Sequence, residues 1–127
     1  MIVVDTSLVV QLLIVPQQVQ SLPPLEASWH APSVLDVETV SAVRGHLISQ
    51  KISGAQAVEA LDRYAELGVR IWPIDQPLSR RMLELAHNIS AYDAAFVALA
   101  EALDAPLVTR DRRLAAAVPR SVSCILV

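Results

Sequence analysis

The sequence predicts an α/β fold, a mostly parallel sheet of four to five strands covered by helices on both faces. Short β-branched and apolar runs (MIVV, the stretch around Trp29 to Ala31, VRIWPI, PLVT and SVSCILV) alternate with longer segments of helical periodicity. The hydrophobic fraction is 54% against 18% charged, a composition that argues for a packed core and against disorder. At 127 residues the chain fits one domain, residues 1–127.

MIVV reads as a fully buried strand ending at Asp5, because a strand covered on both faces is continuously apolar. Thr6 and Ser7 offer caps for a helix through SLVVQLLI, and Pro16, lacking an N–H, stops it. QQVQSLPP is polar but uncharged and reads as either a short helix or a loop before Pro23 and Pro24. The strand around Trp29 closes at Pro32. Ser33 with Asp36 three residues later forms a capping-box signature for a helix through VETVSAVRGHLIS. Ser53 caps the next helix, through about Leu67, with Ala57, Leu61 and Tyr64 on one stripe and Gly68 as its stop. After VRIWPI, the segment around RRMLELAHNI places Met82, Leu85, Ala86 and Ile89 at helical spacing, with Asp75 in the turn before Pro77. Ser90 caps YDAAFVALAEAL, which ends before Pro106. PLVT is a strand ending just before Asp111, RRLAAAV a short helix and SVSCILV the last strand.

Composition excludes several classes. A formal net charge of −3 gives no support for a large nonspecific DNA-binding surface. The single cysteine, Cys124, permits neither an internal disulfide nor a thiolate zinc site. No run approaches the roughly 18–20 apolar residues that span a bilayer, and no basic leader precedes MIVV, so a cytoplasmic protein is expected. His30, His46 and His87 lack metal-ligand spacing, and no glycine-rich phosphate loop is present.

Four acids stand out because each lies where an apolar element begins or ends. Asp5 follows the first strand and Asp111 follows PLVT after Thr109 and Arg110. Ligands of open parallel sheets lie beyond the carboxyl ends of the strands, which puts both acids on the functional edge. Glu38 shares a largely apolar helix side with Leu35 and Ala42, and Asp93 opens the helix carrying Tyr92, Phe96 and Leu99. Each carboxylate is costly to bury alone, whereas a hard divalent cation supplies the missing charge. Capping explains single members of the set: Asp93 with Ser90, Asp111 at its own helix, Asp5 at the first turn. It explains four acids around one edge less well.

The residues also carry a resemblance. VVDTSLVV around Asp5, APSVLDVETVSAVR around Glu38 and SAYDAAFVALAEALDAPLVTRDRRLA, containing Asp93 and Asp111, resemble the PIN-domain endoribonucleases, and within them the VapC toxins of type II toxin-antitoxin pairs. The resemblance covers essentially the whole chain, and YDAAFVALAEAL followed by PLVTRD is its most discriminating part.

It implies a PIN-like three-layer α/β/α sandwich and a ribonuclease using Mg²⁺ or Mn²⁺. It further implies that Asp5, Glu38, Asp93 and Asp111 are the metal-centred acids with Thr109 beside them. Ser7 is implied as an aid to positioning water or substrate, and Arg112 and Arg113 are candidates for holding flanking phosphates of the RNA. Some related PIN domains carry a further acid where this chain has Arg113. A VapB-type antitoxin and a homodimer are the implied partners, with no membrane.

Two rival readings accompany it. A phosphatase of the haloacid dehalogenase type normally needs an aspartate where this chain has Ser7, and a non-catalytic PIN-like interaction module would keep the acids without turnover.

Overall fold

The structure is a computed structural model and describes residues 1–19 and 26–127. Its elements are β1 (Ile2–Val4), α1 (Thr6–Ile14), a 3-10 turn (Pro16–Gln18), β2 (Trp29–Pro32), α2 (Val34–Ile48), α3 (Gly54–Glu66), β3 (Arg70–Trp72), α4 (Gln76–Glu84), α5 (Ala91–Leu103), β4 (Leu107–Thr109), α6 (Arg112–Ala117) and β5 (Cys124–Leu126). Of the QQVQSLPP segment, the beginning forms the 3-10 turn; Pro23 and Pro24 lie outside the described residues.

The five strands stand in the order β3-β2-β1-β4-β5, and every strand pairing is parallel. β1 is central, with Val3 opposite both His30 and Leu107, and this position explains why its residues are all apolar and all buried. β4 is equally buried, whereas β3 lies at an edge and exposes all three of its residues. Trp72 Nε1 donates to His30 Nδ1 at 2.9 Å, tying that edge to β2. The His30 proton therefore sits on Nε2, which donates to Ser28 Oγ at 3.0 Å.

Parallel strands need crossovers, and these are right-handed almost without exception. β1 to β3 run toward one edge, so α1, α2 and α3 share a face, where they pack on one another. The chain then returns across the sheet to β4 and β5, so α4, α5 and α6 cover the opposite face. α5 is the middle of that layer, packed on β1, β2 and β4 below and on α4 beside it. Every residue from Ala94 to Ala100 is consequently buried. The result is the expected three-layer α/β/α sandwich around a five-stranded sheet.

Several local expectations need correction. α1 is capped by Asp5, whose carboxylate accepts from Leu8 N, and not by Thr6 or Ser7. Ser33 makes no side-chain cap: its backbone is already helical (φ −59, ψ −21), its N–H is donated to Trp72 O of β3, and Asp36 instead accepts from Tyr64 OH at 2.6 Å. α3 buries Ala57 and Ala60 and packs the half-buried Tyr64 against the core, so of the expected stripe only Leu61 is exposed. α4 starts earlier, on an N-cap at Asp75, and stops at Glu84, so Ala86 and Ile89 lie beyond it.

The cap expected at Ser53 forms, and it is a full capping box. Ser53 Oγ accepts from Gln56 N while the Gln56 side chain accepts from Ser53 N. Ser53→Ala is expected to lower the unfolding free energy by about 1 kcal/mol, read as a lower urea midpoint at unchanged slope; an unchanged midpoint would show that α3 does not depend on this cap.

Candidate active site at the sheet edge

The order of strands fixes the site. β1 and β4 are neighbours, yet the chain leaves β1 toward β2 and leaves β4 toward β5, in opposite directions across the sheet. Between two such strands the following helices diverge, leaving a crevice at their carboxyl ends. Asp5 stands at the end of β1, Thr109 ends β4 and Asp111 follows two residues later.

Asp5 is 5% exposed and held on several sides. Oδ1 accepts from Leu8 N at 3.1 Å, and Ser7 Oγ donates to both carboxylate oxygens at 2.8 and 2.9 Å. Thr109 Oγ1, fully buried, donates to Oδ2 and accepts from Asp111 N at 2.9 Å. One hydroxyl thus couples the carboxylate after β1 to the backbone after β4. Ser7 works the same junction: besides binding Asp5, its hydroxyl accepts from Arg110 N at 2.9 Å. The sites for both residues follow from the DTS and LVTRD segments, in which a hydroxyl side chain stands beside the strand end.

Glu38 is half-buried in α2, and its Oε1 accepts from Thr6 Oγ1 at 2.9 Å. Thr6 was expected only as a helix cap, so its part in orienting Glu38 is a finding of the fold. The signal lay in DTS itself, where one cap is needed and three polar side chains follow the strand. Asp93, also half-buried, gives its backbone N–H to Ser90 Oγ at 3.1 Å. That accounts for the cap without its carboxylate. Asp111 is the N-cap of α6, with Oδ1 accepting from Arg113 N and Leu114 N at 2.8 and 3.2 Å.

The carboxyls sense one another. Burial pushes the Asp5 carboxyl above its ordinary value, hydrogen bonds from Thr109, Leu8 and Ser7 pull it back, and the charge of Asp111 adds to the rise. Burial raises Glu38 as well, against the Thr6 bond and with the charges of Asp93 and Asp5. Asp93 is raised by burial and then by Asp111, with Ser90 and the positive charge of Arg113 acting in the opposite sense. Among the described residues, none of the four forms an ion pair. The four therefore act on one another electrostatically at the sheet edge, and Arg113 offsets part of that negative charge without pairing with any of them.

They do not form a closed ligand cage. Among the described residues, no three His, Cys, Asp or Glu side chains are grouped closely enough to hold a metal ion by themselves. Asp5 and Asp111 are instead turned to their own helix N-termini, and repulsion within the set works against closer approach. The donor chemistry is nonetheless that of a hard-cation site, all carboxylate oxygens with no thiolate or imidazole among them. Of the basic residues, Arg113 lines a cavity with Asp93 and Asp111, Arg112 is exposed at the start of α6, and the Arg110 guanidinium reaches Gln18 O at 3.4 Å.

The PIN domain family matches residues 2–118 of the chain. Ribonuclease VapC1 of Mycobacterium tuberculosis is 45% identical over 92 residues, covering 72% of this chain and 69% of the relative. Ribonuclease VapC9 of the same organism is 39% identical over 114 residues, covering 90% of this chain and 88% of its own. In shape, a chain from a toxin-antitoxin complex of Klebsiella pneumoniae superimposes with a TM-score of 0.66 over 96% of this chain and 95% of that one, at 20% identity. That likeness concerns the fold.

Proposed function

This chain belongs to the PIN-domain family and is closely related to the VapC ribonucleases of Mycobacterium, and from that premise we propose that it is a divalent-metal-dependent endoribonuclease, the toxin of a toxin-antitoxin pair. The observation that carries the reading is the junction at Thr109, which locks Asp5 and the Asp111 backbone together at the switch point of the sheet, beside acids whose charges raise one another's pKa values and none of which, among the described residues, forms an ion pair.

Asp5 and Asp93 would be the direct ligands in this reading, with Glu38 contacting the ion through water or orienting the nucleophile and Asp111 completing the shell directly or through water. A Mg²⁺ or Mn²⁺ ion held by these residues would supply positive charge beside the phosphate and lower the pKa of a bound water. The chain's own residues do the rest. Thr109 and Ser7 fix Asp5 in one orientation, as hydrogen-bonded supports of ligands do. Glu38, aimed by Thr6 and raised in pKa by burial, is suited to take a proton from the attacking water. In-line attack on the phosphodiester then expels the ribose 3′ oxygen and leaves 5′-phosphate and 3′-hydroxyl ends.

As a toxin it pairs with a VapB-type antitoxin and forms a homodimer, and it works in the cytoplasm. Exposed apolar side chains support the protein contacts: Val37, Val40 and Ile48 on α2, Val58 on α3 and Leu83 on α4. Among the described residues no helix is long and apolar enough to cross a membrane.

The experiment is to incubate the purified chain with total cellular RNA in Mg²⁺, in Mn²⁺ and in EDTA, and to map new 5′ ends. Discrete ends in either metal that vanish in EDTA are expected. No new ends under any condition would favour a non-catalytic PIN-like module, and equal cleavage in EDTA would remove the metal from the mechanism.

A further inference from the structure

A cavity of about 280 Å³, lined by Asp93 and Asp111 but not by Asp5 or Glu38, lies between the turn joining α4 to α5 and α6. Asn88 and Ile89 line it from the turn, Asp93 from α5, Asp111 from the α6 N-cap, and Arg113 and Ala117 from α6. It therefore shares two acids, Asp93 and Asp111, with the proposed active site.

Three chemistries meet in its walls. Among the described residues Arg113 is the one basic residue lining it, exposed, with a positive charge that acts on Asp93. Asn88 is exposed, and its side-chain amide bonds no other described residue, which leaves two donors and an acceptor for a ligand. Ile89 and Ala117 supply apolar surface.

A phosphate approaching Asp93 and Asp111 meets two negative charges, and a guanidinium in the same cavity offsets them while donating to phosphate oxygens in a planar fork. An amide matches the edge of an unpaired base, and an apolar wall matches its face. The cavity is a pocket between a turn and a short helix, not a long channel, so it suits one splayed-out nucleotide and not a duplex groove.

We propose that this notch binds the nucleotide adjacent to the scissile phosphate of single-stranded RNA, with Arg113 on its phosphate and Asn88 reading its base. The proposal rests on the ribonuclease reading given above and deepens it by assigning a specificity subsite.

The test has a binding arm and a cleavage arm. In an Asp5→Asn background, binding of fluorescein-labelled decamers of A, C and U is followed by anisotropy across a salt series with Mg²⁺ present. Arg113→Ala is expected to weaken all three decamers several-fold and to lower the salt slope by about 0.7, the value for one lost contact to a single strand. Arg113→Lys restores the slope. Asn88→Ala leaves the slope unchanged and narrows the spread among the decamers. In the otherwise wild-type enzyme, Asn88→Ala shifts the base preference beside the mapped cut by about tenfold.

If the wild type cleaves and both alanine variants bind and cut as it does, the notch is not a subsite and the ribonuclease reading stands. If the wild type neither cleaves nor binds RNA in Mg²⁺ or Mn²⁺, the ribonuclease reading fails and takes the notch with it.

Discussion

Asp5→Asn is expected to fold like the wild type and to lose RNA cleavage by more than about a hundredfold, because even residues that merely support a metal ligand cost about 10–100-fold when removed. The substitution is informative because the structure predicts that folding survives it. Asn is as good an N-cap as Asp, so its Oδ1 retains the bond from Leu8 N at the start of α1. The amide replaces one acceptor with a donor. Ser7 goes on donating to Oδ1, while the rotatable Thr109 hydroxyl accepts from the new amide at the former Oδ2 and turns its proton to Ser7 Oγ, 3.2 Å away. What is lost is the negative charge, and that is the property assigned to catalysis. The check is single-turnover cleavage of an RNA carrying a mapped site, beside circular dichroism and a thermal melt of both proteins. A folded variant that still cleaves at the wild-type rate would remove Asp5 from the active site; an unfolded one would shift the same question to Glu38→Gln, whose side chain caps no helix.

The fold was legible where one physical cause dominates. β1 and β4 are buried on both faces, so their apolar runs have no competing reading. α5 is bounded by Ser90, whose hydroxyl takes the Asp93 N–H, and by Pro106 beyond its end. Legibility failed where a remote partner decides. Ser33 with Asp36 and Ser53 with Gln56 carry the same signature, yet only the second forms a capping box. The difference is the β3 edge, which takes the Ser33 N–H through Trp72 O, and Tyr64, which takes the Asp36 carboxylate. Neither neighbour is visible from the local sequence.

The site behaves similarly. The topology of a parallel sheet announced Asp5 and Asp111 at its carboxyl edge, and the structure puts both there. Capping and membership of the acidic set looked like rivals for Asp111, but a carboxylate has two oxygens. Oδ1 caps α6 while the charge still raises Asp5 and Asp93. Asn88 carries no such signal, because it sits in a turn without periodicity; that of Thr6 is only the surplus of polar side chains in DTS, which does not name Glu38 as its partner.

In EDTA, acidification from neutral pH toward the ordinary carboxylate range is expected to stabilise the protein through its acidic edge, and divalent cation at neutral pH is expected to do the same. Asp5, Glu38 and Asp93 all have folded pKa values raised above ordinary values of 3.8, 4.5 and 3.8. Between the unfolded and folded values the folded chain holds protons that the unfolded chain has released. The stability contributed by these protons is therefore fully present below the unfolded values and is lost as pH rises through the folded ones. His30 opposes the trend: burial first, then the charges of Arg70 and the N-terminus, lower its folded value, so its contribution is present above 6.5 and is lost as pH falls through that folded value. The two are separated by comparing the wild type with Glu38→Gln/Asp93→Asn. The double variant keeps the His30 loss, lacks two of the three acid gains, and melts at a higher temperature than the wild type at pH 7. A cation at a hundredfold excess over its dissociation constant adds about 2.7 kcal/mol, a rise of several degrees for a domain of this size. That increment shrinks as the acids protonate, because protons and metal compete for the same oxygens. Identical melting profiles for wild type and double variant, with no shift in Mg²⁺ or Mn²⁺, would show that the edge carries no stored repulsion for a cation to relieve.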